Sequence, residues 1–315
     1  MKKGKYRYLF GPVPSRRFGR SLGVDLTPFK TCDFDCIFCQ LGKTSQKTVE
    51  RKDYVPIKEV IAEIENWLET DGNADYITLS GSGEPTLHTG FGKVLEFLKE
   101  SSIPSVLLTN GSMLSLPEVR HAASYADIVK VSLSAWNQDS FEWVNRPHHQ
   151  LHFDRIVKGQ KKFREQFNGE LWMEVFLLAG MNSMPDDVKK IAALIKEINP
   201  DRIQLNTAVR PPAETFAAVL PKNRLEKLTG LFDPPAEIIA EFSTDQTENI
   251  QVNEDAILSM LQRRPCTIDQ IAEVFGMHIN EVSKYIGKLL RSNHICKKKK
   301  KSAIYYTAVL EKDNM

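Results

Sequence analysis

One pattern constrains this chain more than any other. From about Arg20 to Phe242, short β-rich runs alternate with stretches of helical apolar spacing. Residues 21–26 read as a first strand. Residues 56–69 read as a helix, with Ile57, Val60, Ile61, Ile64 and Leu68 along one face. The same alternation predicts strands at 76–80, 105–109, 128–134, 171–178 and 202–206. It predicts helices at 91–100, 116–124, 152–167, 185–198 and 225–232. Strands joined by crossover helices must run parallel, because no tight turn can join parallel neighbours. Six such units fall short of eight, so the expected fold is α/β, a partial (β/α)6 TIM-like barrel.

The chain has 315 residues, 42% hydrophobic and 26% charged, enough for a sizeable core and room for a second domain. No apolar run approaches the ~18 residues of a membrane span. The basic N-terminus meets Gly11, Pro12 and Pro14 where a signal peptide needs a continuous apolar segment. A cytoplasmic protein without membrane contact is expected. Its five cysteines are too sparse for a disulfide scaffold.

Three of those cysteines, Cys32, Cys36 and Cys39, fall within eight residues, while Cys266 and Cys296 are isolated and read as packing residues. Three thiolates on one loop can converge on a metal centre. A structural zinc closes with four ligands, and no fourth lies nearby in sequence. Three thiolates suit a four-iron cluster with one iron left open. Buried thiols or a redox pair is the plainer alternative.

The loop Cys32-Asp-Phe-Asp-Cys36-Ile-Phe-Cys39, with Phe38 before the last cysteine, resembles the signature of the radical SAM enzymes. The resemblance implies that the thiolates hold a [4Fe-4S] cluster. Its open iron would be chelated by S-adenosylmethionine, which on reduction yields a 5′-deoxyadenosyl radical that abstracts hydrogen. In a parallel α/β fold, ligands gather at the C-terminal ends of the strands. The cysteine loop, residues 80–85 and Asn110 all follow predicted strands. Ser82-Gly83-Glu84-Pro85 resembles the family's Gly-Gly-Glu-Pro segment, with Ser82 in place of the first glycine. The resemblance implies that Gly83, Glu84 and Pro85 meet the methionine amino group. It also makes Phe38, Asn110, Ser132 and Ser134 candidate cofactor contacts, the two serines sharing one strand face. Thr109-Asn110-Gly111 reads equally as a plain turn. Glu174, Asn182, Gln204 and Asn206 are further inward polar candidates. Residues 10–23, with Ser15, Arg16, Arg17 and Arg20, resemble the opening of an iron-sulfur oxidoreductase subgroup related to wyosine tRNA-modifying enzymes. Those arginines could bind a carboxylate or phosphate, or form a solvated basic face. The stretch from Trp136 through Trp143, Arg146, His148 and His149 to His152 reads as a polar connector packed by the tryptophans.

After a polar stretch at 245–253 the pattern changes. Helices are expected at 256–261, at 268–275 capped by Thr267, and at 281–291 capped by Asn280. A β-hairpin follows at Ile295 and 303–307. This is the order of a winged helix-turn-helix, dividing the chain into a core barrel at 1–245 and a second domain at 252–312. Residues 251–315 carry 11 Lys and Arg against 7 Asp and Glu, so a chain of net charge +2 hides a basic tail. Lys297 to Lys301 would form the hairpin tip, placed to meet a nucleic acid backbone. The expected function is radical SAM chemistry fed by an external electron donor. The alternative is an iron-sulfur redox sensor that binds DNA.

Overall fold

A computed structural model describes residues 6–15, 17–220, 222–239, 254–263, 265–275, 277–300 and 303–309. The chain begins with an antiparallel hairpin, β1 (Leu9–Ser15) and β2 (Gly19–Val24). The pair β3 (Thr31–Cys32) and β4 (Gln46–Lys47) is short and parallel. Then come β5 (Tyr76–Leu79), β6 (Ser105–Leu108), β7 (Ile128–Ser132), β8 (Glu170–Phe176), β9 (Arg202–Asn206) and β10 (Glu237–Ile238). The main sheet has the order β1-β2-β5-β6-β7-β8-β9-β10, and every pairing beyond β1–β2 is parallel. The intervening helices are α1 (Ile57–Thr70), α2 (Phe91–Leu98), α3 (Pro117–Ala123), α4 (Gln138–Asn145), α5 (Phe153–Gln166), α6 (Pro185–Ile198) and α7 (Lys222–Thr229).

Side-chain alternation divides the sheet into two faces. Leu22, Val24, Ile77, Leu79, Leu107, Val129, Val131, Met173, Val175, Ile203 and Leu205 are buried in the large core shared with the helices. The intervening residues Tyr76, Val106, Leu108, Ile128 and Trp172 surround Phe18 on the opposite face. The Phe18 ring stacks on Trp172 at 5.1 Å and meets Tyr76 edge-on at 5.4 Å. Tyr76 and Trp172 lie on strands three apart, about 14 Å across a flat sheet. One ring touches both because the sheet curls around it. The inner face thus becomes a lumen closed at one end by Phe18.

Several elements differ from the sequence reading. The Gly- and Pro-rich opening forms a hairpin, pinned where Ser15 Oγ accepts the Phe18 amide at 3.2 Å. A short extra strand, β10, extends the sheet beyond six parallel strands. The segment read as a connector contains α4, which begins with a capping box. Ser140 N donates to Asn137 Oδ1 at 3.0 Å, and Asn137 N donates to Ser140 Oγ at 3.1 Å. Strand β7 ends at Ser132, so Ser134 lies beyond it.

Three more helices, α8 (Glu254–Arg263), α9 (Ile268–Phe275) and α10 (Ile279–Arg291), precede the antiparallel pair β11 (Ile295–Lys300) and β12 (Ala303–Ala308). They share a separate apolar cluster that includes Ile257, Leu261, Cys266, Ile271, Val282, Ile286, Leu289 and Tyr306. Thr267 Oγ1 accepts the Gln270 amide at 3.2 Å, as a capping residue does. The cap of α10 is His278 rather than Asn280: its Nδ1 accepts the Asn280 amide at 3.2 Å. The polar stretch at 245–253, along with Arg16 and Lys301, lies outside the described residues. The hairpin rests on the loop after β9. Tyr305 Oη donates to the Val209 carbonyl at 2.9 Å, and Lys300 Nζ to that of Ala208 at 3.3 Å.

Candidate active site

The cysteine loop leaves β2 at the C-terminal rim of the parallel sheet. It is closed at its base by the β3–β4 pairing. Successive turns shape its middle: Cys39 N donates to Cys36 O at 3.0 Å, and Gly42 N to Cys39 O at 3.2 Å. Asp35 accepts the Thr44 amide at 2.6 Å, and Thr44 Oγ1 donates to Phe34 O at 2.7 Å. All three thiols are free and half-buried. Each sulfur meets a side-chain donor, two of them from other parts of the fold. Lys30 Nζ lies 3.2 Å from Cys39 Sγ, Asn145 Nδ2 lies 3.3 Å from Cys36 Sγ, and Asn110 Nδ2 lies 3.8 Å from Cys32 Sγ. Burial raises the Cys36 thiol to about 12 and drives Cys32 well above its usual value. These sulfurs therefore carry protons unless a cation compensates their charge.

The Ser82–Pro85 segment packs directly on this loop. A Cβ on Gly83 would overlap the Thr31 carbonyl oxygen, and Glu84 N donates to that oxygen at 3.0 Å. Only glycine allows this approach. Ser82, the departure from the family pattern, donates through its amide at 3.0 Å and its hydroxyl at 2.5 Å to Asp25, at the end of β2. The Glu84 carboxylate is already occupied. It accepts Thr86 N at 3.1 Å, Thr86 Oγ1 and Thr109 Oγ1 at 2.6 Å each, and Asn110 N at 2.8 Å. Glu84 therefore locks the ends of β5 and β6 together. Pro85 opens a buried 3-10 turn at Pro85–Leu87. Asn110 ties the two loops, its amide donating to Glu84 and its Nδ2 to Asp33 at 2.6 Å. Asp33 also accepts the Ser112 hydroxyl. Burial pushes both carboxyls up, Glu84 to about 7 with a further contribution from Asp33.

The remaining candidates divide. Asn110, Ser132 and Ser134 line one small cavity with Phe34 and Asn145. Ser134 Oγ is taken by the Phe176 amide at 2.9 Å. Phe38 stacks on Phe176 at 4.2 Å and joins Ile37, Leu178 and Ala217 in anchoring the cysteine loop to the end of β8. Asn182 bridges Ser134 O, Phe176 O and Leu178 N, which is a wholly structural role. Glu174 and Asn206 face the lumen and bond each other at 2.7 Å. Trp143 is 54% exposed on α4. Sequence reasoning missed Lys30, Asp33 and Asn145. The flanking aspartates in Cys-Asp-Phe-Asp-Cys were a readable signal for Asp33; Asn145 emerges only once α4 is folded against the loop.

Residues 26–195 match the model of the Radical SAM superfamily, and the chain belongs to that superfamily of enzymes. A UPF0026 protein of Methanocaldococcus jannaschii is 30% identical over 90% of this chain and 92% of its own length. A UPF0026 protein of Helicobacter pylori is 33% identical over 98% of this chain and all of its own. A Brachyspira hyodysenteriae protein named GTPase Obg is 36% identical over 93% of this chain but 44% of its own length, so the chain spans less than half of that relative. Among solved structures, TYW1 with a lysine-pyruvate adduct shares the fold with a TM-score of 0.54 and 16% identity, over 69% of this chain and 74% of that one. A radical SAM methyltransferase from Sphaerobacter thermophilus gives 0.51 and 16%, over 69% and 65%.

The superfamily uses a [4Fe-4S] cluster and S-adenosylmethionine, and the donor set here fits the cluster. Among the described residues, no three His, Cys, Asp or Glu side chains converge closely enough for a single metal ion. Zinc at 2.3 Å from each sulfur would draw three sulfurs to within about 4 Å of one another. A four-iron cluster spreads its ligands over separate irons, which suits three spaced thiols. The amide and ammonium groups beside the sulfurs are donors of the kind that tune such a centre. Among the described residues, no helix is long and apolar enough to cross a membrane.

Proposed function

We propose that Cys32, Cys36 and Cys39 ligate a [4Fe-4S] cluster and that the chain is a radical SAM oxidoreductase acting on a substrate held in the lumen. The observation that carries this reading is the joining of two loops. Three donor-supported thiols sit on one, and the other is fixed against it at Gly83 and Asn110. When bound, the cluster and S-adenosylmethionine supply reductive cleavage to a 5′-deoxyadenosyl radical, which abstracts hydrogen. The chain's own residues hold and orient. Lys30, Asn145 and Asn110 stabilise thiolate charge, while the backbone of residues 82–85 together with Ser132 would meet the cofactor at the rim. Phe34, Phe38 and Phe176 keep apolar surface around the centre and limit water.

The C-terminal helices and hairpin support a winged helix-turn-helix at 252–312 beside a core at 1–245, with nucleic acid as its partner. An external electron donor is required. Cys266 lies in the second apolar cluster, and Cys296 sits on β11, far from the cysteine loop in sequence. A reducing cytoplasmic setting would keep both thiols free.

The test is anaerobic reconstitution, then incubation with S-adenosylmethionine and dithionite, with and without cell RNA. The expected result is 5′-deoxyadenosine from the wild type, none from Cys32→Ala, Cys36→Ala or Cys39→Ala, and a mass change in RNA. An intact cluster that never yields 5′-deoxyadenosine sinks the reading. DNA binding that follows cluster oxidation without turnover would install a redox sensor in its place.

A further inference from the structure

One lysine is buried where its charge finds only a sulfur. Lys30 is 3% exposed. An ammonium carries three N–H donors, and among the described residues the acceptor that Lys30 meets is Cys39 Sγ, at 3.2 Å. It pairs with no carboxylate there. A buried cation calls for an anionic partner, and a neutral thiol is a weak acceptor. A thiolate bound to a metal centre meets that need.

The backbone holds the side chain in this place. Thr31 N donates to Pro28 O at 3.1 Å and closes a tight turn whose third residue is Lys30, at φ +60°. Such a position usually goes to glycine, because a Cβ strains it. Lys30 is pinned in it from both sides. Its amide donates to Ser82 O at 2.6 Å, and its carbonyl accepts Gln46 N at 3.2 Å. A glycine could make the same two backbone bonds without strain. What a lysine adds is the ammonium.

The three sulfurs have unequal neighbours. Cys36 Sγ meets the neutral amide of Asn145 at 3.3 Å, and Cys32 Sγ meets that of Asn110 at 3.8 Å. Cys32 Sγ also lies 3.8 Å from Asp33 Oδ1. Of the three, Cys39 Sγ is the sulfur bonded to a cation. Hydrogen bonds from an ionised donor are about twice as strong as neutral ones.

We infer that Lys30 is a positioning residue that sets the reduction potential of the proposed cluster by placing its ammonium on the Cys39 sulfur. Reduction adds one electron, from the external donor, to a centre that is already anionic. A fixed positive charge at one ligand favours the reduced form and so raises the potential. Asn145 and Asn110 carry no charge and contribute less. The inference rests on the cluster reading of the three cysteines, but not on the radical chemistry that follows reduction.

The test is a redox titration of the reconstituted full-length protein without S-adenosylmethionine. Mediator dyes poise the potential, and electron paramagnetic resonance reads the reduced cluster. At the wild-type midpoint, Lys30→Met should hold roughly tenfold less reduced relative to oxidised cluster, a shift of about 59 mV to lower potential for one electron. Lys30→Arg should recover most of that shift, and Asn145→Ala should move the midpoint by much less. If Lys30→Met fails to fold or to take iron, Lys30→Gly decides the matter. It suits the positive φ and removes only the side chain, so the same tenfold loss is expected. Iron and sulfide content establish that each variant carries a full cluster. An unchanged midpoint in fully loaded Lys30→Gly overturns the inference. So does weaker S-adenosylmethionine binding at an unchanged midpoint, which assigns the ammonium to that ligand instead. A wild type that takes up no cluster overturns the inference and the cluster reading together. A loaded wild type that never yields 5′-deoxyadenosine defeats the radical reading and leaves the potential result standing.

Discussion

Glu84 shows how a motif residue acquires a role its motif does not state. Its place in Ser82-Gly83-Glu84-Pro85 was legible in sequence, as was the need for a glycine beside it. The four donors that hold its carboxylate were not, because Thr109 and Asn110 reach it only after β5 and β6 pair. Ser82 was readable as a departure from the family pattern, but its bond to Asp25 depends on β2 lying beside β5. Burial outweighs the four donors at Glu84 and, with Asp33 nearby, raises its carboxyl to about 7. The folded chain therefore keeps a proton that the unfolded chain has released above about pH 4.3. This group's contribution to stability is full below that pH and is lost as pH rises through 7. In urea denaturation of the metal-free protein, wild type should lose stability relative to Glu84→Gln between pH 5 and 7.5. A difference that stays constant over that range would contradict the raised carboxyl.

At the scale of elements, the six parallel strands and most crossover helices were readable from apolar periodicity, since buried parallel strands and amphipathic helices write themselves plainly. The β1–β2 hairpin was not. Its Pro and Gly residues break the apolar alternation that marks a strand, and its function is visible only from the inside of the sheet. Phe18 is 1% exposed and fills the end of the lumen that the strands cannot close themselves. Helix α4 was hidden for a different reason: its polar composition masks its period, and only the Asn137–Ser140 box betrays its start. The plug can be measured. Phe18→Ala removes a ring stacked on Trp172 and packed against Tyr76, and should cost about 3–5 kcal/mol in equilibrium denaturation. Phe18→Leu should recover most of that loss. A cost below about 1 kcal/mol for the alanine variant would mean that the lumen floor is closed by something else.

At the scale of the whole molecule, the five lysines looked from sequence like a single basic tip. Lys297 through Lys300 instead lie within β11, where alternation sends neighbours to opposite faces. Lys298 borders a cavity shared with Gln40, Leu41 and Gly42 of the cysteine loop and Pro211 after β9. Lys300 donates to Ala208. One face of the hairpin is thus turned toward the core, and Tyr305 holds it there. Lys297 and Lys299 share the other face and are exposed. If the second domain meets nucleic acid as proposed, these two lysines should carry the phosphate contacts, and Lys298 should contribute little. Each contact to a single strand releases counterions and steepens the dependence of log affinity on log salt by about 0.7. Fluorescence anisotropy with a single-stranded RNA across a salt series should therefore show the slope of Lys297→Ala/Lys299→Ala shallower by about 1.4. Lys298→Ala should leave it near wild type. Equal slopes for all three proteins would remove this face from the interface and, with it, the reason to assign the lysine run to nucleic acid.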